Sequence, residues 1–108
     1  MTRFDIIVMT YYMLDNYWQD HKTEELRVVC DDLYPFVWAG ENTADPAYFV
    51  GFCEMFEDKD YSVEEGYEIM KKYAASLWSS RAAEAADNTS FEDFEDVYEQ
   101  YSENPKKV

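Results

Sequence analysis

A nearly continuous apolar stretch, residues 4–18, lies near the start of the chain. When its residues are placed around a helix, the polar side falls on a narrow strip: Thr2, Asp5, Tyr12, Asn16 and Gln19, with Met9 among them. A helix that is apolar on almost all sides is either buried by several neighbours or placed in a membrane. The uncharged run, residues 6–14, has about half of the roughly 20 residues that span a bilayer. The pattern therefore predicts a central helix, from about residue 2 to residue 19, around which later segments pack.

Two further helices are predicted in the first half of the chain by an apolar position every three or four residues. In residues 24–33 these positions are Leu26, Val29, Cys30 and Leu33. Thr23 is suited to cap this second helix, and Pro35 ends it because proline lacks an N–H and disfavours helix at the preceding residue. A third helix is predicted after Asp45, since proline follows this cap at the first helical position. Gly51 within it predicts the close approach of a neighbouring segment.

The second half contains two predicted helices separated by an ambiguous segment. Ser62 and Glu65 form a capping-box pattern. The residues that follow place apolar side chains three and four positions apart: Tyr67, Met70, Tyr73, Ala74, Leu77 and Trp78. Ser90 is suited to cap a last helix over about residues 91–101. Residues 79–89 are mostly small, and both a continuation of the fourth helix and a linker fit their composition.

Together these patterns predict an all-α protein, a single compact bundle of about five helices around the central N-terminal helix. We expect one helical domain over residues 1–104 and a frayed tail over residues 105–108. The loop between the second and third helices contains bulky side chains. Because such groups are disfavoured in water, we expect Phe36, Val37 and Trp38 to fold back and plug one end of the core.

The balance of charges is strongly acidic and limits the partners that the chain can bind. Nine Lys and Arg against 24 Asp and Glu give a formal net charge of −15 at pH 7, with a sequence pI near 4.1. Nucleic acids and anionic membrane surfaces are bound by basic faces, so we expect neither as a direct partner. The same acidity permits a basic protein partner, although many small domains are acidic only because charge keeps them soluble.

The two cysteines and the N-terminal residues indicate a reducing compartment. Cys30 and Cys53 lie on different predicted helices, and neither belongs to a CxxC motif. Each fits the usual role of a free cysteine as a small buried hydrophobe; a disulfide between them is open, but the chain shows no secretory framework. Asp5 interrupts the charged region that a signal peptide would need, and no cleavage site follows. We predict a cytoplasmic location.

No pattern of metal ligands or catalytic groups stands out, and we predict neither a metal site nor a cofactor. The loop that starts at Asp58 begins like a calcium-binding loop, but Val63 and Ile69 occupy the positions that need glycine and a bidentate glutamate. Zinc would need four ligands, and the chain offers two isolated cysteines and one histidine, His21. His21 follows the first helix, where a capping role fits better than a catalytic one. We therefore predict that the protein is not an enzyme.

The last predicted helix separates its two sides unusually well. The apolar side consists of Phe91, Phe94, Val97, Tyr98 and Tyr101. On the other side, Glu103 follows five carboxylates that we name the acidic face: Glu92, Asp93, Glu95, Asp96 and Glu99. Such a row is a solvated surface in many amphipathic helices. Alternatively, it mimics the phosphates of a nucleic acid and attracts a basic protein.

A recognition role for the acidic face needs anchoring contacts, which the neighbouring Tyr98 and Tyr101 are predicted to supply. A second acidic cluster within residues 54–68 would extend the surface if the third, fourth and last helices packed side by side. In composition the chain resembles the small acidic inhibitors and immunity proteins that bacteria and phages make against nucleases, although no motif places it in a family. We therefore predict a non-enzymatic helical protein-binding domain that acts on a basic partner, such as a nuclease or another nucleic-acid-binding protein.

The alternative prediction is a structural or oligomer-forming helical domain without a nucleic-acid-mimicking surface. It rests on the aromatic content, which is 19% of the chain and includes Tyr17, Trp18, Trp38 and Trp78. These side chains would cover a homodimer interface, because aromatic residues are enriched where protein surfaces meet.

Overall fold

The computed structural model describes residues 1–104, which fold into six α-helices without a β-strand. The helices are α1 (Arg3–Asp20), α2 (Glu24–Leu33), α3 (Pro46–Met55), α4 (Val63–Ser76), α5 (Ser80–Asp87) and α6 (Phe91–Glu103). The predicted all-α bundle is confirmed, with six helices rather than five. The tail predicted over residues 105–108 lies outside the described residues. Among the six helices, none combines the length and the hydropathy that a membrane-spanning segment requires.

Helix α1 lies at the centre of the bundle and packs against each of the other five helices. Its middle section is buried around most of its circumference. The side chains with 0% exposure include Ile6, Ile7, Val8, Met9 and Leu14. The buried hydroxyl of Thr10 donates to the carbonyl oxygen of Ile6 at 2.7 Å, so this polar group does not oppose burial. The prediction of a central N-terminal helix is confirmed.

Each helix begins at a side chain that satisfies backbone N–H groups of the first turn. The predicted caps of α2, α3, α4 and α6 are all present: Thr23, Asp45, Ser62 and Ser90. At α4 the capping box is complete, since Ser62 Oγ accepts from the Glu65 N–H at 3.1 Å and the Glu65 carboxylate accepts from the Ser62 N–H at 2.9 Å. Thr2 and Asp5 form a second capping box at α1.

Residues 79–89, whose composition fits either helix or linker, contain the additional helix α5. Leu77 has extended backbone geometry after α4, with ψ of 160°, and Ser79 then caps the new helix through its hydroxyl. The fully buried side chains of α5 are three alanines: Ala82, Ala85 and Ala86. Because these positions follow one another at i, i+3 and i+4, they form a smooth stripe along which α5 packs closely on α1 and α4.

The loop between α2 and α3 does not plug the core as predicted. Val37 is 59% exposed and Trp38 is 49% exposed, so the prediction is wrong for both side chains. The Trp38 indole N–H donates to the carbonyl oxygen of Thr43 at 2.7 Å, which holds the ring against its own loop at the surface. Of the three bulky residues only Phe36 turns inward, and its half-buried ring lies 6.3 Å from that of Tyr12.

The prediction that Gly51 permits a close approach is also wrong. A Cβ atom added at Gly51 has no neighbouring heavy atom within 4 Å. The close approach occurs instead at Gly66 in α4, where an added Cβ would overlap the sulfur of Met1. Gly51 therefore weakens α3 without a packing reason, whereas Gly66 makes room for a side chain.

We expect the substitution Gly51→Ala to raise the free energy of unfolding by about 1 kcal/mol, because alanine has the higher helix propensity and its methyl group enters open space. The matched change Gly66→Ala gains the same propensity but must displace Met1, so it should stabilise less. Urea denaturation followed by circular dichroism measures both changes. A Gly51→Ala protein that is less stable than its parent would contradict this account of α3.

Candidate protein-binding face

Helix α6 carries the acidic face and is fixed to the bundle by its opposite side. Phe94 is fully buried, and the rings of Phe91 and Phe94 each lie 5.5 Å from the ring of Tyr67 in α4. The Tyr67 hydroxyl also donates to the carbonyl oxygen of Thr89 at 2.6 Å, which fixes the turn before α6. All five carboxylates of the acidic face are exposed. The predicted separation of the two sides is therefore confirmed.

The acidic face has no counter-ion within residues 1–104. None of its five carboxylates forms an ion pair with a lysine, arginine or histidine of that range. Lys71 of α4 contacts the carboxylate of Glu68 on its own helix at 3.3 Å. Arg81 of α5 likewise contacts Glu84 at 3.2 Å. The negative potential of the acidic face is therefore not neutralised by the described part of the chain.

Tyr98 and Tyr101, the predicted anchors, lie on the packed side of α6 rather than among the carboxylates. Both are half-buried, and the Tyr101 ring lies 6.2 Å from that of Tyr12 in α1. Burial, together with the negative charge of the Asp5 carboxylate in α1, raises the pKa of Tyr101 to about 12. Burial also raises the pKa of Tyr98. Their role as anchors stays a prediction, in which the partner would meet the exposed edges of the rings.

A shallow groove follows the seam between α1 and α6 beside the acidic face. It has a volume of about 340 Å³, and Asp93 and Asp96 of the acidic face line it together with Asp20 of α1. Val97 contributes an apolar part of the same wall. A lysine or arginine side chain fits such a site, because its aliphatic stem lies on apolar surface while its charged head reaches the carboxylates.

A second groove continues the seam toward the C-terminal end of α6. Its volume is about 430 Å³, and its lining includes Tyr12, Val97, Tyr101 and Glu103. Asn16 of α1 lines both grooves, so the two are neighbours. Sequence reasoning did not assign Asn16 or Asp20 to the site. For Asn16 the signal was present, because it belongs to the polar strip of α1, and a polar strip on a buried helix must face solvent or a groove.

The second acidic cluster, within residues 54–68, does not extend the acidic face through α3. Helix α6 contacts the Tyr67 side of α4, whereas Phe52 of α3 packs on Tyr73 with ring centres 4.9 Å apart. Tyr67 and Tyr73 are separated by about 120° around the helix. Glu54 of α3 therefore lies on a different side of α4 from α6, and the condition for one extended acidic surface is not met.

His21 and Cys30 have surroundings typical of residues that support the fold rather than of catalytic groups. His21 ends α1, where its ring stacks on that of Tyr17 with centres 4.0 Å apart. Burial raises the pKa of the Cys30 thiol to about 12, so this sulfur is protonated at neutral pH and is a poor nucleophile. In the described range no three side chains of His, Cys, Asp or Glu converge to hold a metal ion. The lack of enzymatic activity stays a prediction.

The ionisation of Tyr101 makes stability depend on alkaline pH. Because its pKa is raised to about 12 from an ordinary value of 10.0, the fold favours the neutral phenol. This stabilisation is complete below pH 10 and is lost as the pH rises through about 12. We expect the Tyr101→Phe variant, which cannot ionise at this position, to lose less stability than the parent between these pH values in thermal unfolding at constant ionic strength. Equal losses of stability in the parent and the variant would show that Tyr101 has the same pKa in the folded and the unfolded chain.

Comparisons of the chain with protein-family models, with curated proteins and with solved structures found no match. A function is therefore inferred from the chemistry of its own residues. The acidic face and the groove beside it have the clearest chemistry, because exposed carboxylates without a described ion-pair partner lie next to a preformed recess.

Proposed function

We propose that this chain is a non-enzymatic acidic protein-binding domain whose acidic face docks on a basic protein, as an inhibitor or immunity-type protein docks on a nuclease. The observation that carries the proposal is the row of five exposed carboxylates that have no ion-pair partner within residues 1–104. The groove beside the row offers a recess for a basic side chain. We expect the partner to be a nuclease or another nucleic-acid-binding protein, since such proteins carry surfaces suited to closely spaced negative charges.

The charge density of the acidic face supports this choice of partner. From Glu92 to Glu99 the helical rise covers about 10 Å along the axis, and all five carboxylates lie within that length. Double-stranded DNA carries one charge per about 1.7 Å, or roughly six over the same distance. A surface that attracts phosphates therefore meets a similar charge density on α6, and the attraction accelerates association.

Neutralising the acidic face should weaken binding to a basic ligand while the fold stays intact. The variant carries Glu92→Gln, Asp93→Asn, Glu95→Gln, Asp96→Asn and Glu99→Gln. The probe is an arginine-rich peptide, titrated by fluorescence anisotropy at several salt concentrations, and circular dichroism checks the fold. We expect the dissociation constant to rise at least about tenfold and to depend less steeply on salt than that of the parent.

A matched control removes five exposed carboxylates elsewhere and therefore has the same net charge. Its substitutions are Glu24→Gln, Glu41→Gln, Glu57→Gln, Asp60→Asn and Glu64→Gln. We expect the control to bind with an affinity within about threefold of the parent, because distant exposed charges are screened by salt. Equal losses in the two variants would show that only net charge matters and would contradict the proposal.

A structural or oligomer-forming domain is the second candidate function, and the exposure of Trp38 and Trp78 favours it. Tyr17 and Trp18 are less suited to the predicted homodimer interface. Both are half-buried, and the guanidinium of Arg27 covers the Trp18 ring at 4.6 Å.

Sedimentation velocity distinguishes this second candidate. We expect an oligomer-forming domain to associate at micromolar concentration and to dissociate when Trp38→Ser and Trp78→Ser are combined, because both rings would leave the interface. A clean monomer over the whole micromolar range would contradict this candidate.

A further inference from the structure

A second surface of the molecule, on the side of α3, is apolar and open. A groove of about 420 Å³ runs between α3 and the C-terminal end of α4. Met55 and Trp78 line it and are 48% and 60% exposed, an arrangement that marks contact surfaces when large apolar side chains adjoin. Gly51 also lines the groove at a point where a Cβ would meet open space. The missing side chain at Gly51 therefore keeps the groove open.

Trp78 is exposed and yet held in one orientation. Its indole N–H donates to the hydroxyl of Tyr48 at 2.7 Å, and this hydroxyl donates to the carboxylate of Asp32 at 3.2 Å. The backbone of Tyr48 is held in turn, because the Tyr73 hydroxyl donates to its carbonyl oxygen at 3.0 Å. An aromatic ring that is ordered before binding loses little conformational entropy in a complex, so Trp78 is suited to anchor a partner.

The charges around the groove are mainly negative. One carboxylate, that of Glu54, belongs to its lining, and three others are next to lining residues: Asp32 accepts from the Tyr48 hydroxyl, Asp45 caps α3, and Glu25 accepts from Ser79, the residue after Trp78. None of the four has an ion-pair partner within residues 1–104.

We propose that this groove binds an amphipathic helix of a basic partner, with the apolar side chains of that helix against Met55 and Trp78 and its lysines or arginines toward the surrounding carboxylates. Helix α3 has 10 residues and is about 15 Å long, which matches roughly three turns of a bound helix. A second copy of this chain fits less well, because it would bring the same carboxylates face to face. The inference rests on the proposed function for the basic character of the partner but uses a separate surface.

The probe for this groove is a designed peptide helix of about five turns that carries leucines on one side and lysines on the other. Its binding is followed by the fluorescence of Trp78 in a chain that carries Trp18→Phe and Trp38→Phe. We expect a saturable shift of the emission maximum to shorter wavelength as the indole leaves water. A peptide with glutamates in place of the lysines should bind at least about tenfold more weakly. Equal binding of the two peptides would overturn the proposal.

Gly51→Gln supplies the blocking variant. Its side chain enters the groove, and glutamine favours helix over glycine, so α3 should stay folded. We expect the dissociation constant of the leucine–lysine peptide to rise at least about tenfold. The matched control is Val50→Gln, an exposed position of α3 outside the groove, where we expect a change within about threefold. Unchanged affinity in Gly51→Gln, or an equal loss in Val50→Gln, would overturn the proposal.

The variant with a neutralised acidic face separates this inference from the proposed function. Retained peptide affinity in that variant, with loss in Gly51→Gln, supports the groove whatever the arginine-rich peptide does. Loss in the neutralised variant, with retention in Gly51→Gln, places the peptide on α6 and overturns the groove proposal while the proposed function stands. A parent dimer that Gly51→Gln dissociates would show that a second copy fills the groove, and this result also overturns the proposal.

Discussion

The burial of α1 on almost all sides is the constraint on which the rest of the structure depends. The four consecutive side chains from Ile6 to Met9 are spaced by about 100° around the helix, and all have 0% exposure. One neighbour cannot cover such a helix, so the other five surround it. Each buried aliphatic side chain contributes about 1.5–3 kcal/mol, and this burial opposes the self-repulsion of a chain with a net charge of −15. The polar strip of α1 is the exception, and the grooves beside α6 lie there.

The same burial determines what the acidic residues do. A core filled by apolar side chains leaves the 24 carboxylates outside, where cations are too few to pair with them. The ion pair between Arg27 and Asp31, at 2.6 Å, is partly exposed and therefore adds at most about 1 kcal/mol to stability. The unpaired remainder contributes a negative field rather than stability. Its effect is greatest on binding, since a field of one sign steers partners of the other sign toward the surface.

Features that depend on neighbouring residues were predictable from the sequence, and features that depend on distant contacts were not. Ser62 and Ser90 signal helix starts because a cap bonds within three residues of itself, and the two sides of α6 follow from its periodicity alone. Helix α5 could not be predicted as a separate helix, because alanines do not mark an apolar side in the sequence pattern although they pack well. The position of Trp38 depends on a hydrogen bond to Thr43 that hydrophobicity does not encode. The grooves beside α6 and α3 arise only when separate helices meet.

The acidic face of α6 and the groove beside α3 differ in the contacts that each offers to a partner. The acidic face offers dense charge on a rigid helix, but its tyrosines are turned toward α1 and little apolar surface remains for a partner. The groove beside α3 offers an ordered tryptophan and an exposed methionine, with fewer carboxylates around them. Surface charge raises the association rate and selects a basic partner, whereas buried aromatic contacts lower the dissociation rate. Because both surfaces are negative, each attracts a basic partner, and a partner large enough to reach around α4 would contact both. A small basic peptide reaches only one surface at a time, so its binding can be assigned to one of them.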